Sequence, residues 1–388
     1  MPFYVKRGQV PAKRHVAFYK PGGEAKKEIF TEQLVGNKGF TGIASLLYHI
    51  HRPTEILDYK VLKETRWEAE ENDELRMRHL RSALVPEGGS LVMDRTPLMF
   101  NDDIGILFSK PTVQDEHFYR NAQGDEVIYV SDGSGVLESQ YGNLPYRRGD
   151  YLVIPRGILY RLKMNSEKHN LLIMESAGEV RTPSRYRNEH GQIVEGAPFS
   201  ERDIRVPEEL VTVDETGEFP IIVKQYDKLV QYTMKHHPCD VVGWDGYYYP
   251  WAFNIEDFEP LVGRIHLPPP VHQTFQGDGF VVCSFCPRPF DFDENAVPAP
   301  YHHSNVMSDE VLYYASTEFM SRKGVEYGSL TLHPDGLVHG PQPGKTEESI
   351  GVKWTDEYAV MIDTFRQLKV AKAALPTEDK DYFRSWVE

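Results

Sequence analysis

Between residues 301 and 339 the chain gathers three side chains that could hold a divalent metal ion. His303 and Asn305 lie two apart, Glu310 opens the run Glu-Val-Leu-Tyr-Tyr, and His339 closes the series Gly328-x5-Pro334-x-Gly336-x2-His339. Residues two apart on a strand share a face, so His303 and Asn305 point the same way. Glu310 begins the next strand and His339 follows a Pro-x-Gly turn, so the three can converge. Asp309 competes with Glu310 as the carboxylate, but on an extended strand these neighbours point to opposite faces. Two imidazoles and a carboxylate on one side of an ion leave its other side open. Non-haem iron(II) oxygenases use that arrangement to admit O2 and an organic substrate. No thiolate joins the set, which argues against structural zinc. Fe, Mn, Zn and Ni all suit these donors.

The elements that must position these residues occur twice. Residues 119–130 (YRNAQGDEVIYV) match 303–314 (HSNVMSDEVLYY), and 149–160 (GDYLVIPRGILY) match 328–339 (GSLTLHPDGLVH). Two matched pairs in the same order indicate two copies of one β-unit. Short β-rich runs such as YLVIPRG, FVVCSF and YGSLTLH, punctuated by Gly and Pro, predict an all-β chain. Helical periodicity is confined to 55–69 (EILDYKVLKETRWEA), 361–375 (MIDTFRQLKVAKAAL) and the extreme C-terminus. The polar stretch around 180–215 is expected to link the copies. The division predicted is an N-terminal domain with an arm, 1–205, and a C-terminal metal-binding domain, 206–388.

Both copies resemble the two motifs of the cupin superfamily, which implies two jelly-roll barrels with peripheral helices. The C-terminal copy has the second motif complete and the first in part, Asn305 replacing a His and Thr317 a Gly. In the N-terminal copy Glu126, Gly133, Gly149, Pro155 and Gly157 persist, but Tyr119 and Tyr160 stand where His303 and His339 stand. Neutral phenols are poor ligands for a divalent ion, so this copy reads as structural.

The C-terminal half is similar to the homogentisate 1,2-dioxygenase family. The residues that carry the likeness are PCDVVGWDGYYYPWAFNIEDF (238–258), YHHSNVMSDE (301–310) and SLTLHPDGLVHGP (329–341). The resemblance implies Fe(II) held by His303, Glu310 and His339. It further implies His272 as the base that takes a substrate hydroxyl proton, and Tyr301, Asn305 and His333 as substrate contacts. The implied reaction opens the ring of homogentisate with O2 to give maleylacetoacetate, in tyrosine and phenylalanine breakdown. Cleavage of gentisate or another hydroquinone acid is the alternative within that chemistry, and a non-catalytic ligand-binding cupin the alternative outside it. Phe319 stands near a position where the family places an aromatic substrate contact, as Tyr.

Other candidates read more plainly. His302 should face away from the ligands. His333, six residues before His339, could line the pocket by alternation. His49-x-His51 has ligand-like spacing but reads as a half-buried strand pair, and Cys283-x-x-Cys286 reads as packing. Composition is that of a globular chain: 388 residues, 40% hydrophobic and 26% charged. A net charge of −15 repels phosphate backbones and excludes a nucleic-acid partner. Three Cys indicate a reducing compartment. The N-terminal MPFYVKRGQV has no apolar core to act as a leader, and no run nears the ~20 apolar residues of a membrane span, so a cytoplasmic protein is expected. Exposed sheet edges and the N-terminal arm point to a homo-oligomer.

Overall fold

The computed structural model describes residues 3–22, 28–71, 74–317 and 319–387. Each copy of the repeat folds into the same succession of five antiparallel strands. In the first these are Phe118–Asn121, Asp125–Asp132, Asp150–Ile154, Tyr160–Met164 and Asn170–Ser176. In the second they are His303–Ser304, Asp309–Tyr314, Ser329–His333, Val338–His339 and Ala359–Thr364. The registers agree residue for residue at the key positions. Tyr119 faces Tyr160 as His303 faces His339. Glu126 lies between Ile154 and Glu175 as Glu310 lies between His333 and Asp363. The matched glycines agree as well: Gly149 and Gly328 have φ of 85° and 84°, and Gly157 and Gly336 of 79° and 74°. A Cβ is strained in that left-handed region, so the turns select glycine.

The two barrels stand back to back. Glu126 and Glu310 point inward, and their odd-numbered neighbours point outward into a shared aromatic layer. There Tyr129 meets Tyr313 at 6.1 Å, the Tyr313 hydroxyl donates to Ser131 Oγ at 2.5 Å, and Tyr151 and Ser284 bond at 2.8 Å. Fully burying one such ring is worth about 1.5–3 kcal/mol. The strand Asp125–Asp132 is buried on both faces, which hides the simple alternation expected of a half-exposed strand.

Hydrogen bonding crosses the division expected at 205–206. Arg78–Arg81 forms the edge of the second barrel's six-stranded sheet, and Lys369–Val370 forms the edge of the first barrel's eight-stranded sheet. Trp251–Asn254 joins the first barrel beside Asp150–Ile154. The stretch around 180–215 is no free tether: Val180, Tyr186, Ile193, Phe199 and Ile204 are buried in the main core.

Two expected helices are strands. Residues 56–64 form the strand Ile56–Glu64, because pairing with Lys228–His236 satisfies its backbone where no neighbour covers an apolar helical stripe. Residues 361–364 belong to Ala359–Thr364, held between Phe280–Phe285 and Asp309–Tyr314. The rest of that segment gives a short strand and the 3-10 turn Lys372–Thr377, and the C-terminal region gives the 3-10 turn Tyr382–Trp386. Tertiary pairing has overridden local periodicity in both strands. Among the described residues the only α-helix is Lys345–Ser349, and no helix is long and apolar enough to cross a membrane.

The interior of the first barrel is closed by a cation. Arg95, from the turn before the strand Thr96–Phe100, donates to Glu126 at 2.5 Å, to Glu175 at 2.9 Å and to the Tyr160 hydroxyl at 3.2 Å. Tyr119, Tyr160 and Asn121 also donate to Glu126, and Lys224 pairs with Glu175. Every group is buried and every carboxylate oxygen has a partner. Removing one partner of such a network strands the others, at a cost of about 3–5 kcal/mol. Arg95→Leu should therefore lower the thermal unfolding midpoint by several degrees, and an unchanged midpoint would remove Arg95 as the keystone of that barrel.

Candidate metal centre

In the second barrel the same positions carry His303, Glu310 and His339. His303 and His339 face one another across two short paired strands, with ring centroids 4.3 Å apart. His303 Nδ1 lies 3.1 Å from the Tyr301 carbonyl and His339 Nδ1 3.2 Å from the Leu337 carbonyl. A carbonyl only accepts, so each Nδ1 carries the proton and each Nε2 offers its lone pair inward. Both Nε2 atoms lie 3.7 Å from Glu310 Oε2, and the three donor atoms fall within 4.8 Å of one another. An ion bonded at about 2.0–2.2 Å to each donor needs them roughly 3.0–3.4 Å apart, so each His–Glu310 pair must close by a few tenths. His339 Nε2 is buried with no hydrogen-bond partner among the described residues. An orphaned buried acceptor costs about 1–3 kcal/mol, a cost that a metal bond would remove. The residues fit a divalent ion.

Glu310, not Asp309, meets the imidazoles. Asp309 points the other way and accepts from the backbone amides of Asp335 at 2.8 Å and Leu368 at 2.6 Å. Burial opposes the Glu310 charge, but the imidazoles gathered around it, with His333 bonded to it directly, hold its carboxyl well below the usual range. His333 is fully buried behind the ligands. Its Nδ1 contacts Glu310 Oε1 at 2.8 Å and its ring stacks on His339 at 4.8 Å, so it braces two ligands and does not line the cavity. Trp386 meets its far edge at 6.3 Å.

A cavity of about 450 Å³ opens in front of the three donors. His272, Phe285, Leu312, Phe319, Met361 and Asp363 line its depth, with Tyr301 and Asn305 also in the lining. Tyr301, 59% exposed, marks the mouth. His272 ends the 3-10 turn Pro269–His272, fixed by the prolines before it, and lies 4.6 Å from Phe285. Its Nδ1 is buried without a partner among the described residues. Burial, with Arg288 and His266 nearby, pushes its pKa down to about 3, so the ring is neutral at physiological pH.

Several groups here escaped the sequence reading. Asp363 is buried with Oδ1 unpartnered, and burial together with the Glu310 charge raises its pKa to about 8. The repeat held the signal: Glu175-Ser176 and Asp363-Thr364 end corresponding strands. Arg288 also lines the cavity. Its guanidinium donates to the Cys286 carbonyl at 3.0 Å, lies 3.7 Å from Glu357 and packs over Phe285. Arg322, buried and also in the lining, donates to the Gly340 carbonyl at 2.8 Å.

The remaining candidates lie elsewhere. His302 is exposed, against Gly340. His49 is fully buried rather than half-buried and bonds to Asp240 at 2.7 Å, while His51 bonds to Asp214 at 2.8 Å. Both carboxylates come from far along the chain, which is why spacing did not expose them. Cys283 and Cys286 are buried free thiols.

Comparison with known proteins places the chain in a family. A sequence model described as homogentisate 1,2-dioxygenase N-terminal matches residues 97–255. A protein of Saccharolobus solfataricus, provisionally named a dioxygenase, is 40% identical over all of this chain and 99% of its own length. Homogentisate 1,2-dioxygenase of Bradyrhizobium diazoefficiens is 28% identical over 72% of this chain, which covers 64% of that relative. Homogentisate 1,2-dioxygenase of Rhodopseudomonas palustris (strain HaA2) is 27% identical over 70% of this chain and 63% of its own length. Among solved structures, a cupin 2 conserved barrel domain protein from Leptotrichia buccalis aligns with 76% of this chain and 99% of its own at 8% identity and a TM-score of 0.34. With two cupin barrels, one intact His-Glu-His set and a relative alike from end to end, the chain belongs to the homogentisate 1,2-dioxygenase family of the cupin superfamily.

Proposed function

We propose that this protein is an iron(II)-dependent dioxygenase that opens the ring of homogentisate with O2 to give maleylacetoacetate. The observation that carries the reading is the set His303, Glu310 and His339 facing a cavity in which His272 stands neutral and unpartnered. These three residues would hold the ion. Bound there, ferrous iron supplies the redox chemistry that couples an electron-rich ring to O2.

The chain's own residues do the rest. Phe285, Phe319, Leu312 and Met361 form an apolar slot for a planar ring. His272 accepts the proton of a ring hydroxyl, which makes the ring a better electron donor. His272 is neutral across the neutral range, so its ring carries a free lone pair there. His333 holds the Glu310 carboxylate in place. Arg288 gives the slot a fixed positive charge for the substrate carboxylate, with Tyr301 and Asn305 guiding entry.

Five measurements test this reading. Anaerobically iron-loaded protein should consume O2 with homogentisate and form the ring-opened product, seen by ultraviolet absorbance. His303→Ala or His339→Ala should lose bound iron by elemental analysis with an unchanged circular dichroism spectrum; full iron binding in either variant would sink the ligand assignment. His272→Asn should keep its iron and lose about 10²–10⁴-fold in kcat, the usual worth of a positioned base. Because His272 is neutral above its low pKa, the parent enzyme's acid limb should not fall near the ordinary histidine pKa of about 6.5. Finally, Arg288→Met should lower kcat/KM for homogentisate by roughly 10–100-fold, the loss of one charged hydrogen bond, while leaving unsubstituted hydroquinone unchanged. Equal loss with both substrates would remove Arg288 from carboxylate recognition. Preference for gentisate would redirect the substrate, and no O2 uptake with iron bound would favour a ligand-binding role.

A further inference from the structure

The strand Ile56–Glu64 lies at the end of the first barrel's seven-stranded sheet, with one edge paired to Lys228–His236 and the other unpaired among the described residues. All nine of its residues are exposed. Five are large and apolar: Ile56, Leu57, Tyr59, Val61 and Leu62. A long apolar edge strand is a template for another strand, and soluble proteins ordinarily blunt or cover it. The sequence of this edge also says what would cover it.

A strand that pairs antiparallel with its own copy about a twofold axis must place one residue opposite itself, because facing side chains share a side of the sheet. The regular stretch is Asp58–Val61, which faces Thr233, Tyr232, Gln231 and Val230 in turn, with register shifts on either side. The centre therefore falls on one of four residues. Centring on Asp58 sets that carboxylate against the partner's Asp58. Centring on Lys60 opposes two ammonium groups and puts Leu57 against the partner's Lys63. Centring on Val61 puts Lys60 against the partner's Leu62 and Asp58 against the partner's Glu64. Only centring on Tyr59 satisfies every pair. Asp58 then faces the partner's Lys60 twice over, Leu57 faces the partner's Val61, and Tyr59 faces the partner's Tyr59. Each Tyr59 ring already stacks on Tyr232 at 6.0 Å, so four aromatic rings would line up across the join.

We propose that Ile56–Glu64 is the interface between two copies of this chain, paired antiparallel in the register centred on Tyr59. The protein's own cysteines, Cys239, Cys283 and Cys286, are buried, so an engineered surface thiol can be read cleanly. Light scattering of the full chain at about 10 µM should give twice the 44.6 kDa of one copy, or an even multiple of it. Under mild oxidation Tyr59→Cys should form a disulfide-linked dimer and Val61→Cys should not, since two copies of position 61 would lie four residues out of register. Asp58→Lys and Lys60→Asp should each weaken association at least tenfold by sedimentation, and the double variant should restore it. Circular dichroism checks that each variant folds. A monomer at this concentration would overturn the proposal. So would an assembly in which Tyr59→Cys fails to cross-link, or a charge swap that does not recover association.

Discussion

A carboxylate buried in the wall of a barrel must be matched by positive charge, and both halves of this molecule are arranged around how that charge arrives. In the first barrel it comes from the chain itself: Arg95 reaches in and hydrogen-bonds Glu126, Glu175 and Tyr160 in one closed network. In the second barrel Glu310 and Asp363 take the places of Glu126 and Glu175, and among the described residues no arginine or lysine hydrogen-bonds either of them. Imidazoles stand where the phenols stood. His272 enters from the turn before the first strand, as Arg95 does, but brings no charge. Among the described residues, His272 Nδ1, His333 Nε2, His339 Nε2 and Asp363 Oδ1 are buried in this one region without partners. One barrel has met its electrostatic demand internally and the other has left it for something that binds.

This division gives the first barrel a structural part to play. Its outer face supplies half of the tyrosine layer against which the second barrel's outer face packs, through Tyr129, Tyr151 and Ser131. That layer fixes the strand Asp309–Tyr314 from behind, and with it the direction of Glu310. A closed, fully satisfied barrel is a rigid support for one whose interior is strained by unmet groups.

The sequence made much of this legible. Two motifs at fixed spacing located the ligands, and the self-comparison found the repeat because glycines in left-handed turns and a glutamate in the barrel wall tolerate little substitution. Asp363 was within reach of the same comparison carried one strand further. Other features were not. The strand Ile56–Glu64 has no buried face to impose a period, so only its partner strand defines it. His333 alternates with the cavity-facing side but is held back by its bond to Glu310, which no spacing reveals. Arg288, Arg95 and the His49–Asp240 pair depend on contacts between distant segments.

The exchange of edge strands bears on how the chain comes to be folded. Arg78–Arg81 waits for Ser329–His333 before it has a strand partner, and the outer edge of Thr96–Phe100 waits for Lys369–Val370. During synthesis at some 5–20 residues per second, the N-terminal half therefore spends tens of seconds outside the ribosome with an open edge. Neither barrel closes until nearly the whole chain has emerged. Such long-range pairing is slow to form and exposed to aggregation meanwhile. A chain terminated anywhere before residue 369 would lack the last strand of the first barrel, so the support behind the ligands is completed only after the ligands themselves.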